Sequence, residues 1–280
     1  MRGFLNFSRF VLALLLIQPA AILWAGPPFQ TDDPEPLDAG HFEAYAFGSV
    51  DGTPIETDPL GPAFEMNFGA TDNLFLHLIV PFGAIEPSNN PRYFPSGTGP
   101  SAFGLIDTEI GIKYRFFKQH GKYFPEIGTF DMIEIPTGSY AKGLGVGKVW
   151  YKLPLWVQKN WGPWTTYGGA GYAVVPQTDY RNYPFGGWLL LRDFGEKWTL
   201  GGEVFSHGAE GLATPQTRAA AMVDLGGYYY IRNPGWQILF CYGHTAVGQR
   251  ENYAYLGLYH TWGPDKKKDT AGFLHRDATF

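Results

Sequence analysis

Hydrophobic and polar residues alternate along much of the chain, most clearly in two neighbouring stretches. In 63–71, Glu65 and Asn67 alternate with apolar residues, and in 73–82 leucines occupy every second position. A polar Thr-Asp-Asn triplet at 71–73 separates the two stretches. Alternation with a period of two on both sides of a short polar turn predicts a β-hairpin.

Similar alternating segments recur at regular spacing as far as residue 262, and no long stretch has the 3.6-residue period of an amphipathic helix. Each segment is long enough to form one strand, and turn-forming residues separate them. We predict twelve strands, at about 41–50, 63–71, 73–82, 103–117, 123–135, 149–158, 164–175, 185–193, 197–206, 218–231, 235–244 and 252–262.

The connections between the predicted strands alternate in length. Short turns alternate with longer loops, and many tryptophans and tyrosines lie close to the short turns. Outer-membrane barrels have short periplasmic turns, long extracellular loops and aromatic girdles. A soluble sandwich or a lipocalin-like barrel, the competing folds, has no reason to sort its loops in this way. The longer loops are predicted at 51–62, 83–102, 136–148, 176–184, 207–217 and 245–251.

The pattern therefore predicts an all-β fold, a transmembrane antiparallel β-barrel of the outer-membrane type with about twelve strands. Residues 1–25 have two arginines, a short apolar run and small residues before Gly26, which predicts a secretory signal peptide. We expect 26–40 to be an extended periplasmic lead-in, 41–262 the barrel and 263–280 a periplasmic tail. The predicted location is the outer membrane of a Gram-negative bacterium.

Composition agrees with an exported barrel. Aromatic residues make up 17% of the chain, which contains 37 glycines and a single cysteine, Cys241. Without the two arginines of the signal, 19 lysines and arginines are set against 26 acidic residues, a formal charge of −7. The chain has no basic segment interleaved with aromatic residues, so nucleic acid is not an expected partner. One cysteine excludes an internal disulfide framework.

Charged residues identify the face of each strand that points into the lumen. A charge facing lipid at the bilayer midplane costs about 2–4 kcal/mol for Lys or Arg, so the charged face of each strand is expected to be the inner one. Arg192 is a further inward candidate, whereas Asp131 has the wrong parity and would require a bulge or a strand boundary nearer the rim. The predicted lumen-lining residues are Glu43, Glu65, Asn67, His77, Asp107, Glu109, Lys113, Arg115, Glu203 and Asp224.

The hairpin also carries a family resemblance. The sequence FEMNFGATDNLFLHL at 64–78 resembles the hairpin of outer-membrane proteins grouped as putative transporters of the MetA pathway of phenol degradation. The lead-in GPPFQTDDPEPLDAGHFEAY at 26–45 resembles the start of the mature chain in one branch of that group. The resemblance implies a β-barrel channel or transporter, and it brings no catalytic residue.

Residue types that support catalysis or metal binding are present only in unfavourable patterns. Ser206 and His207 are adjacent in a predicted strand, so their side chains are expected on opposite faces and cannot easily form a nucleophile–base pair. The remaining histidines are scattered over separate strands, without ligand spacing. We expect no enzyme activity, no cofactor and no metal.

These features lead to a functional hypothesis and its alternatives. The favoured hypothesis is a channel for passive passage of a small solute, aromatic or hydrophobic, since the chain has no nucleotide-binding motif. The alternatives are a closed barrel that serves structure, adhesion or assembly, and a less favoured outer-membrane hydrolase. The expected partners are outer-membrane lipid, an unidentified small solute and the outer-membrane assembly machinery.

Overall fold

The computed structural model describes residues 28–88, 101–213, 217–232 and 235–264. The predicted signal peptide lies outside the described residues, as does the tail after residue 264. Thirteen strands form one antiparallel sheet, and one short 3-10 helix lies in a loop. The strands are β1 (Phe42–Gly52), β2 (Glu56–Thr71), β3 (Leu74–Pro87), β4 (Ala102–Leu105), β5 (Thr108–Phe117), β6 (Glu126–Ile135), β7 (Trp150–Trp161), β8 (Trp164–Val174), β9 (Tyr183–Phe194), β10 (Trp198–His207), β11 (Ala220–Arg232), β12 (Trp236–Gly248) and β13 (Asn252–Trp262).

The sheet closes on itself and forms a barrel. Consecutive strands pair along the chain, and β1 pairs with β13 from Phe42↔Trp262 to Gly52↔Asn252. The strands β4 and β5 both pair with β3, so they are two parts of one barrel strand interrupted at 106–107. The wall therefore has twelve strands, which confirms the predicted fold. Among the described residues, no helix has the length and apolar character needed to cross a membrane.

The outer surface of the barrel is apolar. Alternate residues of each strand are exposed and hydrophobic, whereas the residues between them are buried. In the opening hairpin Leu76 and Leu78 are exposed, whereas His77 between them is only 7% exposed. Because an apolar outer band matches the lipid core, this surface and the closed wall place the chain in the outer membrane.

Two of the connections that were predicted to be long loops are short in the structure. The strands β1 and β2 extend well beyond their predicted ends, and only 53–55 connects them. Similarly, β12 and β13 are joined by 249–251. The β1–β2 pairing continues to Gly52↔Thr57, whereas β12 pairs with β13 only as far as His244↔Asn252 and its last residues pair with β11, so loop length alternates less regularly than predicted.

The region around Pro154 interrupts the barrel wall. The pairing of β6 with β7 stops at Gly128↔Trp156 and resumes at Met132↔Lys152. Proline has no N–H to donate to a neighbouring strand, which explains the gap. The hydroxyl of Thr129 approaches the Pro154 carbonyl at 2.6 Å and the Asp131 carboxyl group at 2.7 Å. Asp131 faces outward in the middle of β6, and its pairing with β5 is regular there, so neither the bulge nor the position nearer the rim is found.

Candidate functional site in the barrel lumen

His77 is at the centre of a polar network on the inner face of β1, β2, β3 and β5. Its Nδ1 lies 2.7 Å from Asn67 Oδ1, and its Nε2 lies 3.0 Å from Glu109 Oε1. The Asn67 amide donates to Glu43 at 2.9 Å and to Glu65 at 2.6 Å, so its oxygen is left as an acceptor. Both ring nitrogens of His77 therefore face acceptors, an arrangement that suits the imidazolium form.

The network continues around the barrel in both directions. On one side, Lys152 of β7 donates to Glu109 at 2.9 Å and to Glu134 at 3.1 Å. On the other side, the Tyr259 hydroxyl of β13 donates to Glu43 at 2.9 Å. Each charged group has an opposite charge or a hydrogen bond, which buried charges require. This chain of contacts forms the polar wall of the lumen.

Next to the polar wall, beginning on β1 and β13, the inner face becomes aromatic. Tyr45 and Tyr259 pack at 4.7 Å between ring centroids, and Phe47 stacks on Tyr255 at 5.1 Å. Ring pairs in offset or tilted geometries stabilise a fold by more than the burial of their apolar area. These rings belong to a buried cluster of mainly aromatic and aliphatic side chains, the aromatic wall, which consists of Tyr45, Tyr167, Leu189, Leu191, Tyr228, Leu239, Cys241, Tyr255 and Tyr259.

Residues 28–40, here called the N-terminal segment, lie inside the barrel. Glu203 accepts hydrogen bonds from the backbone N–H groups of Gln30 at 3.0 Å and Thr31 at 2.6 Å. The Gln30 side chain reaches Asp224, directly opposite Glu203 on the next strand, at 3.3 Å. The segment was expected in the periplasm, but these contacts with inward-facing carboxylates place it in the lumen.

A buried ion pair holds the middle of the N-terminal segment. Lys113 Nζ lies 3.0 Å from Asp33 Oδ2 and 3.8 Å from Asp32 Oδ1. The Asp33 side chain is fully buried, and the ammonium group of Lys113 also lies 4.8 Å from the ring centroid of Phe130. A cation over an aromatic face gains electrostatic stabilisation, so Lys113 is fixed by the segment and by the wall together.

Further contacts extend along the segment. Gln158 donates to Glu35 at 2.7 Å, and Phe29 packs into the aromatic wall. Near the periplasmic end, Leu37 packs in a second buried cluster, and the N–H of Gly40 donates to the Gly69 carbonyl at 2.8 Å. At the other end, the hydroxyl of Tyr253 lies 3.5 Å from the carbonyl of residue 28. The segment therefore extends through most of the height of the lumen.

Glycines on the inner face leave the space that the N-terminal segment occupies. A Cβ atom at Gly187 would touch the Thr31 hydroxyl, and one at Gly128 would lie 3.0 Å from Pro34 Cβ. A larger side chain at either position would push the segment away from the wall. Glycine is the residue expected where a second backbone approaches a strand closely.

The ten residues predicted to line the lumen are each more than nine-tenths buried. Most belong to the network or contact the N-terminal segment. Arg115 instead pairs with Glu126 at 3.1 Å and binds the carbonyl of Asp72 in the first turn. Asp107 lies between β4 and β5, where it accepts from the Gly138 N–H at 3.0 Å and the Val146 N–H at 2.8 Å. It therefore fixes an extracellular loop.

One inward prediction is wrong. Arg192 is exposed on the outer face of β9, 5.0 Å from the Trp164 ring and 5.1 Å from the Phe194 ring. Its long stem lies along the aromatic rim, from which the guanidinium group reaches the headgroup region. Sequence reasoning also missed Lys152, whose strand contains Pro154 and has a less regular pattern, and Gln158.

The adjacent Ser206 and His207 do not form a catalytic pair. Ser206 is exposed and His207 is buried, as expected for neighbours in a strand. The His207 ring contacts Glu251 Oε2 at 2.9 Å and the Gly208 carbonyl at 2.8 Å. Among the described residues, no group of histidine, cysteine and acidic side chains is arranged to hold a metal ion.

The fold is similar to that of known outer-membrane barrels. An outer membrane channel from Pseudomonas putida F1 matches with a TM-score of 0.66 and 15% identity, over 85% of this chain and 100% of that chain. The KdgM porin matches with a TM-score of 0.51 and 8% identity, over 78% of this chain and 99% of that chain. The translocator domain of the autotransporter NalP from Neisseria meningitidis matches with a TM-score of 0.51 and 12% identity, over 80% and 89% of the two chains.

At these identities the similarity is one of fold. It supports a twelve-stranded outer-membrane barrel in a Gram-negative bacterium. No protein-family model matches the sequence, and no curated protein matches it. The resemblance to the putative MetA-pathway transporters therefore stays a prediction.

Proposed function

We propose that the protein is an outer-membrane channel for a small aromatic or hydrophobic solute, and that the N-terminal segment must leave its place in the lumen for the solute to pass. The observation that carries this proposal is the segment itself. It occupies the space between the polar wall and the aromatic wall, yet side-chain contacts provide most of its attachment. The similar folds of a channel and a porin support the channel role.

The N-terminal segment is suited to displacement. It pairs with β2 only close to Gly40, where it joins the barrel. Elsewhere it is held by Glu203, Lys113 and Gln158 and by two apolar side chains. A segment with few backbone hydrogen bonds belongs to the less stable part of a fold and opens before the strands do.

The aromatic wall suggests which solutes suit the lumen. When the segment moves away, the space that Phe29 fills in the aromatic wall becomes open to another ring. Aromatic pairs are worth about 0.5–1.5 kcal/mol beyond the burial of their area. The polar wall would favour a solute that also carries a hydrogen-bonding group. Passage would follow the concentration gradient.

One observation favours a second function. The segment and the polar network leave charges inside the lumen paired, which is also what a permanently closed barrel would need. Such a barrel would serve structure, adhesion or assembly. It would show neither conductance nor solute uptake.

Uptake into liposomes distinguishes the two functions. We expect liposomes that contain the protein to take up phenylalanine faster than empty liposomes. We also expect the aromatic amino acid to be preferred over its cyclohexyl analogue by about two- to tenfold, since only the former gains the aromatic contact. Both solutes are zwitterions and cross lipid poorly, so uptake reports on the protein. No uptake above empty liposomes, together with no conductance in planar bilayers, would favour the closed barrel.

A further inference from the structure

A groove of about 310 Å³ lies on the outside of the barrel at its periplasmic end. Its residues come from the turn between β5 and β6 and from the outer faces of β7, β8 and β9. Lys122 and Lys159 provide two ammonium groups, whereas Tyr123, Val157 and Trp188 provide apolar surface. The groove is therefore basic on one side and apolar on the other.

The orientation of β7 shows that Lys159 faces out of the barrel. Gln158 is buried, and it points inward to the N-terminal segment, so Lys159 and Val157 share the opposite face. Lys159 Nζ donates to the Gly121 carbonyl at 3.2 Å and to the Phe124 carbonyl at 3.1 Å. These bonds hold the ammonium group against the turn that contains Lys122, and its third N–H is left for a ligand.

The positive charge of the groove is not balanced within the groove itself. Among the described residues that line the groove, none is acidic. The nearby Glu126 points inward, where it is paired with Arg115. A third cation, Arg192, lies on the outer face of β9 beside Trp164. Three outward cations on neighbouring elements attract an anionic ligand.

We propose that this groove binds the headgroup of an anionic phospholipid in the periplasmic leaflet of the outer membrane. The lysines would hold the phosphate, and the acyl chains would lie along Val157 and Trp188. The position of the groove favours a lipid over a soluble phosphate, because Trp188 is 54% exposed on a wall that faces lipid. Trp188 lies in the middle of β9, at the depth of the acyl chains, whereas Tyr123 in the periplasmic turn is 85% exposed and lies at the headgroup level of the bilayer. A zwitterionic lipid brings its own ammonium group, which the lysines repel.

Native mass spectrometry of the detergent-purified protein tests this proposal. With equal amounts of phosphatidylglycerol and phosphatidylethanolamine of the same acyl chains, we expect the protein to retain phosphatidylglycerol preferentially. The change Lys122→Gln should reduce that preference about fivefold, the effect of one basic residue near a membrane surface. Lys122 is exposed and contacts only the Tyr123 ring in the described structure, so this variant should fold normally.

Two further variants separate a site from a general charge effect. Lys148→Gln removes the same charge from an extracellular loop and should leave the preference unchanged. Lys159→Arg keeps the charge and should retain most of the preference. The proposal fails if wild type retains both lipids equally, or if Lys148→Gln and Lys122→Gln have equal effects. It also fails if soluble glycerophosphate displaces the lipid, because the site would then recognise phosphate without the acyl chains.

Discussion

Removal of residues 28–40 is expected to raise the single-channel conductance several-fold in planar bilayers. The N-terminal segment fills the lumen between the polar wall and the aromatic wall, and its loss opens that space to water and ions. Glu203 and Lys113 lose their partners on the segment, but water then enters the lumen and solvates both groups. The barrel strands keep their pairing, so the variant should still show heat-modifiable migration on a gel.

The control for this deletion is a variant that changes a charge outside the lumen. Arg192→Met leaves the segment in place and should conduct as wild type does. A deletion variant that folds and yet conducts no more than wild type would show that another part of the lumen limits passage.

Replacement of Lys152 by methionine is expected to lower the free energy of unfolding by about 1–3 kcal/mol, because two carboxylates lose the hydrogen bonds of a cation that is itself 27% exposed. Lys152 lies between Glu109 and Glu134, at 2.9 and 3.1 Å. The two carboxylates occupy paired positions on β5 and β6, so they cannot move apart when the lysine is lost. Unfolding in denaturant, followed by tryptophan fluorescence in detergent, measures the effect.

A second substitution shows whether charge causes the loss. In Lys152→Met, the further change Glu134→Gln removes the repulsion, because Glu109 keeps His77 as a partner. We expect the double variant to regain most of the lost stability. Lys148→Met, on an exposed loop, is the matched control and should change stability little. If Lys152→Met is as stable as that control, the polar network is solvated and contributes little.

Much of the barrel was predictable because its strands face two different environments. Lipid outside and polar groups inside give alternation with a period of two, which assigned Glu65 and Asn67 inward and Leu76 outward. The interruption between β4 and β5 was not predictable from this pattern. Asp107 there has the parity of an inward residue, but it is fixed by loop backbone instead.

The position of the N-terminal segment was not predictable in the same way. A segment that crosses a lumen alone has no repeating environment, so 28–40 carries no period. The only signals of its position are the residue types. Asp32 and Asp33 in the segment can pair with Lys113 on an inner face, and small residues such as Gly187 on the inner face leave space for a second backbone. Those cues become informative only when the three-dimensional register is known.

Outward charges mark another limit of sequence reasoning. The cost of a charge at the bilayer midplane predicts that Arg192 points inward. Arg192 instead lies on the outer face at the rim, where a guanidinium group reaches the headgroups. Asp131 is outward within a strand, beside Thr129 at the interruption of the wall. The rule depends on depth in the bilayer, which the sequence does not give.

The most direct test of the account is to lock the N-terminal segment in the lumen. Gln158 donates to Glu35 at 2.7 Å, so thiols introduced by Glu35→Cys and Gln158→Cys, in a chain with Cys241→Ala, can be joined by a short bis-methanethiosulfonate linker through two mixed disulfides. Phenylalanine uptake into liposomes is then measured for the cross-linked protein and again after reduction. We predict that the cross-link abolishes uptake and that reduction restores it. Equal uptake in both states would contradict the claim that the segment must move for the solute to pass.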